Sequence, residues 1–346
     1  MRLVANWILR FGIIEFFSII FASVNILAFL LYVADKRKSE KGGRRINKWA
    51  LISFTLACGG VGAALGMCLA KDKAREKKFR LVAAIGLAIA LIPLIHIAHS
   101  LTLDRAIRYV EIEYRSEDWP AGLDGYRIAF MTDMHTISDE EIGKVAAELN
   151  GRGLDLLLLG GDFSMEGGHY LGTVREIAQI GARDGIYGVE GNHDEYIRLF
   201  EAQERNGITP LDNGGKRIRD GFYLAGVRDL WNGALDVEAA VAGAGAGDFV
   251  LLVSHNPDVS MVQPMDGIDL ILSGHTHGGQ ITFFGYPMFL LRGSITSYGT
   301  RFAHGFSRSA DGVPVYTSSG VDSFYAVPRI FARPEVVIFT MRSERG

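Results

Sequence analysis

The sequence predicts an all-α membrane domain followed by an α/β domain of layered, mixed sheets, and three observations carry that prediction. Charge divides unevenly along the 346 residues. Against a formal net charge of −3 overall, residues 1–103 hold 15 Lys/Arg and 5 Asp/Glu, whereas residues 104–346 hold 21 and 34. Three apolar stretches of 22 or 23 residues fill the basic part. Short apolar runs alternating with helical patterns fill the acidic part, as layered α/β architectures require. The mean composition, 48% hydrophobic and 22% charged, averages these two parts. The expected divisions are a helical transmembrane domain over 1–103, a linker and first strand over 104–124, and the α/β domain over 125–346.

Phe11 to Val33, Trp49 to Ala70 and Leu81 to Leu103 each approach the ~20 residues with which a helix crosses a hydrocarbon core. The first is too long for the apolar region of a signal peptide, about 7–15 residues, and two more stretches follow it. Glu15, near one end, can reach the interface by snorkelling. The second stretch contains Gly59, Gly60, Gly62 and Gly66. Such a density lets helices approach closely, or lets the chain turn back under protein cover. Basic loops flank this stretch, Lys36 to Lys48 with seven positive residues and Lys71 to Arg80 with six. Three full spans would put them on opposite faces, against the positive-inside rule. A re-entrant middle stretch keeps both loops cytoplasmic and delivers the acidic domain to the extracytoplasmic side, which is the topology expected. The same loops would attract anionic membrane lipids. Cys58 and Cys68, the only cysteines, both lie in the middle stretch, which excludes a disulfide framework or a thiolate zinc site.

Asp35-Lys36-Arg37, Arg45-Ile46-Asn47, the glycine cluster and Lys71 to Phe79 resemble an uncharacterised bacterial membrane-domain family. That resemblance implies an integral membrane location and no particular activity. Asp72-Lys73 stands where the family has a His-Lys pair.

The alternating run Tyr109 to Tyr114 predicts a first strand, and Trp119-Pro120-Ala121-Gly122 a turn. Strands are then expected at Arg127 to Thr132, Leu154 to Leu159, Gly185 to Val189, Tyr223 to Val227, Phe249 to Val253, Leu270 to Leu272, Val313 to Thr317 and Val336 to Met341. Helices are expected at Asp139 to Asn150 and Leu171 to Arg183. The late part has few helical intervals, so the sheet is expected to be mixed. Ala240 to Gly247, rich in Gly and Ala, reads as a flexible surface loop.

Polar residues of metal-binding type follow these apolar runs, where loops at strand ends build α/β sites. The clusters are Asp133-Met134-His135, Gly161-Asp162, Gly191-Asn192-His193-Asp194, Ser254-His255-Asn256 and Gly274-His275-Thr276-His277. One Asp-x-His occurs by chance, but five such clusters in succession do not. Two divalent cations about 3.5–4 Å apart can clamp a phosphoryl group for in-line attack, given one carboxylate able to bridge them. Imidazole, amide and carboxylate donors suit Mn, Fe or Zn better than a soft thiolate metal.

In order, DMH, GGD, GNHD, SHNPD and GHTHGGQ resemble the motifs of calcineurin-like metallophosphoesterases over Tyr126 to Met341. The long last motif and Arg333-Pro334-Glu335 resemble the bacterial membrane-associated branch in particular. The resemblance implies a four-layer αββα sandwich and a metal-dependent phosphoric ester hydrolase of phosphodiesterase or pyrophosphatase type. It implies two divalent metal ions, with Mn expected and Fe or Zn as alternatives. Asp133, His135 and His277 would hold the first, Asn192, His255 and His275 the second, and Asp162 would bridge. His193 is left outside the coordination sphere to stabilise the transition state or protonate the leaving oxygen, with Asp194 as its orienting partner. Two departures from the family pattern bear on substrate shape. Ile137 and Met165 replace a glycine and an acid, with Glu166 one residue later, and Ser319-Gly320-Val321-Asp322 replaces a glycine-rich turn expected at the pocket rim.

Ile281 to Leu291 is an apolar run beside the expected site, either core or a lip that meets lipid. The lip reading favours a lipid-linked phosphoester or pyrophosphate as substrate; an extracytoplasmic polymer fits the expected topology. The net charge of −13 on the acidic part excludes a grip on nucleic acid, which needs Lys/Arg against phosphates. A protein phosphatase would need a docking groove. The competing class is a membrane sensor or structural protein with a catalytically silent metal-binding domain, and the complete ligand set argues against it.

Overall fold

A computed structural model describes residues 13–71, 76–164, 170–287, 295–322 and 329–344. The chain forms two compact units, Met1–Leu101 and Thr102–Gly346. Within the first, the helices are α1 (Ile13–Glu40), α2 (Lys48–Phe54), α3 (Gly60–Ala70) and α4 (Lys77–Leu101). Three segments, Ser18–Glu40, Lys48–Ala70 and Lys77–Arg105, are long and apolar enough to cross a membrane. The loop before α2 is fixed by Asp35, whose buried carboxylate accepts from the Arg45 guanidinium and the Ile46 N–H.

The middle segment is broken. Between α2 and α3 a wide turn over Thr55–Gly59 takes Ala57 and Cys58 out of helical angles, Cys58 to φ 64°. A break inside hydrocarbon is tolerated only where the freed backbone groups find partners. Asn25 of α1 supplies them: Nδ2 donates to the Cys58 carbonyl at 3.0 Å and Oδ1 accepts the Gly62 N–H at 2.9 Å. The glycine density also serves close approach, since a Cβ on Gly60 would stand 2.1 Å from the Gly86 carbonyl carbon of α4. The glycine cluster thus serves both close packing and the non-helical turn at Thr55–Gly59. Phe11, Gly12 and the Asp72-Lys73 pair lie outside the described residues.

In the second unit the described residues form twelve strands: β1 (Arg108–Ser116), β2 (Tyr126–Met131), β3 (Leu156–Leu159), β4 (Ile186–Gly188), β5 (Thr209–Pro210), β6 (Gly214–Arg219), β7 (Phe222–Gly226), β8 (Phe249–Val253), β9 (Leu270–Ser273), β10 (Gly305–Arg308), β11 (Pro314–Thr317) and β12 (Glu335–Ser343). Its helices are α5 (Asp139–Asn150), α6 (Tyr170–Ile177), α7 (Tyr196–Arg205), α8 (Val237–Val241) and α9 (Val259–Val262). The strands make two six-stranded sheets, ordered β1-β12-β2-β3-β4-β5 and β10-β11-β9-β8-β7-β6. Both are mixed, as expected. In the first, β12 runs antiparallel to β2, and in the second β6 and β10 run antiparallel to their neighbours.

Side-chain alternation sorts the core into three layers. Ile128, Phe130, Leu156, Leu158, Val337 and Phe339 of the first sheet meet Phe222, Leu224, Phe249, Leu251 and Leu270 of the second. Alternate residues of the first sheet, Ala129, Met131, Leu157, Leu159 and Ile338, face Ile142, Val145 and Leu149 of α5 and Leu199 of α7. The far side of the second sheet packs on Val237, Ala240 and Val259. The result is the four-layer αββα sandwich. α5 begins with a capping box between Ser138 and Glu141, and its expected bounds match those observed.

Two expectations change. The helix expected to reach Arg183 ends at Ile177. Ala240 to Gly247 is not a free loop throughout, because α8 includes Ala240 and Val241 and buries Ala240 against the second sheet. Met165, Glu166 and residues 288–291 lie outside the described residues.

Candidate metal centre

Parallel pairing of β2, β3 and β4, and of β7, β8 and β9, turns their C-terminal ends the same way within each sheet. Each cluster of metal-type residues begins just beyond one of these ends. Asp133 and His135 follow β2, Asp162 follows β3, Asn192, His193 and Asp194 follow β4, His255 follows β8, and His275 and His277 follow β9. Five of these residues hold left-handed backbone: Asp133 (φ 53°), His135 (φ 31°), Asp162 (φ 55°), His275 (φ 70°) and His277 (φ 50°). Non-glycine residues adopt that region at a cost of roughly 1–2 kcal/mol each, so the fold overrides local preference to aim these side chains inward. This also explains how His275 and His277, two apart, separate: each turns on its own strained backbone.

The side chains converge as two groups, Asp133, His135 and His277, and Asp162, His255 and His275. In the first, His135 Nε2 lies 3.1 Å from His277 Nε2, and His277 Nε2 lies 3.4 Å from Asp133 Oδ1. In the second, His255 Nε2 lies 3.2 Å from His275 Nδ1 and 3.1 Å from Asn192 Oδ1. Asp162 Oδ2 reaches toward both groups, 3.4 Å from His135 Nε2 and 3.1 Å from His255 Nε2. Bonds of about 2.0–2.2 Å to one ion set neighbouring donor atoms roughly 3.0–3.5 Å apart. The donor set and its spacing therefore fit two divalent ions with a shared carboxylate.

The surrounding backbone holds this array rigidly. Asp133 accepts the His275 N–H at 3.0 Å, and His255 Nδ1 lies 2.8 Å from the Gly160 carbonyl, which leaves its Nε2 facing the centre. Gly274 has no room for a side chain, since a Cβ there would stand 2.2 Å from Thr132 Oγ1. His193 is set by its N–H, which donates to Asp162 Oδ1 at 2.9 Å, and its ring meets that of His135 edge-on at 5.3 Å. Asp194 is used differently from the orienting role expected for it. Its carboxylate accepts the backbone N–H groups of Asp162, Phe163 and Gly191 at 2.8–2.9 Å, so it joins the Asp162 loop to the loop of His193.

Burial pushes His135 down to about 4 and His275 down to about 3, and holds His277 well below the usual imidazole range. Neutral imidazole is the form that ligates. Burial also pushes Asp133 upward, with the like charge of Asp162 adding to it. Against its own burial, Asp162 is held well below the usual carboxylate range by His255 and His135. Burial opposes a charge on His255 too, but Asp162 and Asp133 outweigh it and raise that histidine well above its ordinary value. Buried carboxylates crowded around imidazoles make a site where added positive charge is favourable.

Three supporting features were not anticipated. Ser319 to Asp322, expected at the rim, instead backs the first loop: the Val321 and Asp322 N–H groups donate to the Thr132 and Asp133 carbonyls at 2.9 Å. Arg329, fully buried, donates to the His277 carbonyl at 3.1 Å. Trp231, half exposed, stands edge-on to the His275 ring at 4.5 Å, in a loop whose Asn232 amide reaches the Gly191 carbonyl. A buried arginine leaves no periodic mark in a sequence. The tryptophan did leave one, a large aromatic between turn-forming residues in VRDLWNG.

Comparison with known proteins agrees with this geometry. Residues 126–279 match the family described as calcineurin-like phosphoesterase, and residues 25–79 match a family described as a protein of unknown function, DUF1294. A transmembrane protein with metallophosphoesterase domain from Danio rerio is 25% identical over 96% of this chain and 80% of its own length. The uncharacterised metallophosphoesterase YkuE of Bacillus subtilis is 28% identical over 68% of this chain and 86% of its own. One from Campylobacter jejuni is 24% identical over 86% of this chain and 79% of its own. The C-terminal part of the chain is a calcineurin-like metallophosphoesterase domain, and it follows an N-terminal domain of the DUF1294 family.

Proposed function

We propose that the protein is a membrane-anchored, binuclear-metal phosphohydrolase that cleaves a phosphoester or pyrophosphate bond in a lipid-linked substrate. The observation that carries this reading is the Asp162 carboxylate oxygen turned to histidines of both donor groups. Asp133, His135, His277 and Asp162 would hold one ion, and Asn192, His255, His275 and Asp162 the other, with Mn favoured over Fe or Zn. When bound, such a pair supplies Lewis acidity at the phosphoryl oxygens and lowers the pKa of the attacking water. His193, beside the first group and outside both, is set to stabilise charge on the phosphoryl oxygens or pass a proton to the leaving oxygen. Asp194 holds the loop that carries it.

The division at 1–103, 104–124 and 125–346 gives this enzyme an anchor, a short connection and a catalytic domain. Cytoplasmic placement of both basic loops puts the catalytic domain on the extracytoplasmic side. A lipid-linked substrate is favoured by the tether and by the exposed aromatic rings that follow the last histidine motif.

The test is Mn-dependent hydrolysis by the full chain in detergent of a generic phosphodiester and a lipid pyrophosphate, with His193→Ala as control. Preference for the lipid is expected, with turnover falling about a hundred- to ten-thousand-fold in the variant while metal stays bound. Activity on the generic ester alone would remove the lipid assignment, and activity on neither would favour a metal-binding sensor. Intact cells given a membrane-impermeant diester should hydrolyse it; hydrolysis only after permeabilisation would reverse the orientation.

A further inference from the structure

We infer that an aromatic tip over Phe283–Tyr286 inserts into the interface of the bilayer that anchors the chain and holds the metal centre at the membrane surface. A metal centre held at the membrane surface would meet a lipid-linked phosphoryl group at the headgroup level, which deepens the lipid-linked reading above and rests on it; the docking itself does not.

The tip is a tight hairpin. Phe283 and Tyr286 exchange backbone hydrogen bonds at 2.9 and 3.0 Å, and the Gly285 N–H donates to Thr282 Oγ1 at 2.9 Å. Its three aromatic side chains are nevertheless half exposed, Phe283 at 52%, Phe284 at 51% and Tyr286 at 52%. Aromatic rings held out on an ordered turn fit a headgroup-level environment, where an apolar face and a polar edge are both accommodated. At its base Pro287 packs on Gly279, two residues from the ligand His277.

The occupant of this surface is fixed by where the chain enters the domain. The last apolar segment runs to Arg105. Asp104, at its end, is buried and accepts the Phe331 N–H at 2.8 Å, and the Phe331 ring lies 5.4 Å from that of Phe284. One hydrogen bond and one ring contact therefore separate the end of the apolar segment from the tip. Leu103 and Arg105, on either side of Asp104, are both exposed, an apolar and a cationic group suited to acyl chains and anionic headgroups.

Sheet topology leads to the same side. Arg108 pairs with Glu335, and β12 runs antiparallel to β2 with Val337 opposite Phe130. The start of β1 therefore lies level with the C-terminal end of β2, two strand spacings or about 10 Å from the loop of Asp133. The chain enters the domain at the sheet end that carries the metal ligands.

The test uses the full chain in phosphatidylcholine–phosphatidylglycerol vesicles, with a tryptophan reporter at the tip, Phe284→Trp. Asp220→Trp, in the exposed turn between β6 and β7 at the other end of its sheet, serves as control. Emission added over the parent should be lost for Phe284→Trp when lipids brominated high in the acyl chain replace plain ones, and kept for Asp220→Trp. Tyr286→Trp should behave like Phe284→Trp, which guards against a local defect in one variant. Unquenched emission from both tip reporters, or equal quenching of the control, would overturn the docking. Because this readout needs no turnover, loss of the phosphohydrolase reading would leave it standing, and its own failure would leave that reading intact.

Discussion

Glu335, where β12 begins, has no exposed surface. Its carboxylate accepts from Arg108 at 2.9 Å, from the Ser319 N–H at 3.1 Å and from the Tyr316 hydroxyl at 3.3 Å, and lies 2.9 Å from His304 Nε2. Burial alone would raise its pKa, but His304 and the other donors overcome that and hold it below the usual carboxylate range. A carboxylate with a depressed folded-state pKa contributes stability that is present above its unfolded pKa, about 4.5, and lost as pH falls through the lower folded value. Glu335→Ala should cost about 3 kcal/mol, since it removes one partner of a buried charged network. Thermal unfolding at several pH values should show that loss near neutrality and a shallower acid limb than the parent. Equal stability, or an unchanged acid limb, would mean the network is incidental. Individual residues were also where the sequence was most legible. The nine residues singled out from five motifs are all brought to one end of the strands, because motif spacing records chemistry directly. Their left-handed backbone was not legible, since Asp and His carry no local preference strong enough to announce it.

Among elements, the broken middle helix depends on a side chain far from it in sequence. Asn25 satisfies a carbonyl and an N–H that the turn at Thr55–Gly59 releases. Asn25→Leu should leave both groups unpaired in an apolar setting and destabilise the helices by about 1–3 kcal/mol. Denaturant titration of the full chain in detergent, followed by helix signal, would show it; an unaltered midpoint would mean the break satisfies itself. The three apolar segments were legible from length and hydropathy, and the glycines marked the middle one for close packing or a turn back; what was not legible is that the break falls at Thr55–Gly59 and draws its partner from Asn25. A similar rule separates the strands. Central ones such as β3 and β8, buried on both faces, stand out as continuous apolar runs. Three of the four outer strands leave weaker marks: β5 has two residues, β6 reads GGKRIR, and β10 reads GFSR, whereas the longer outer strand β1 shows in its alternation.

At the scale of the whole molecule, the basic apolar part and the acidic sandwich carry opposite net charge, and the proposed function gives the first the anchoring and the second the chemistry. The large net negative charge of the second part disfavours long polyanions, yet its two donor groups suit cations and, under the proposed function, would hold a single phosphoryl group through them. Everything assigned to catalysis depends on two ions sharing Asp162. The measurement that tests this most directly is the metal content per chain of the purified full-length protein after saturation with Mn and removal of excess, beside that of Asp162→Asn. Two ions per chain are expected in the parent, with the bridge variant unable to keep the pair. One ion or none in the parent, or an undiminished pair in Asp162→Asn, would contradict the account.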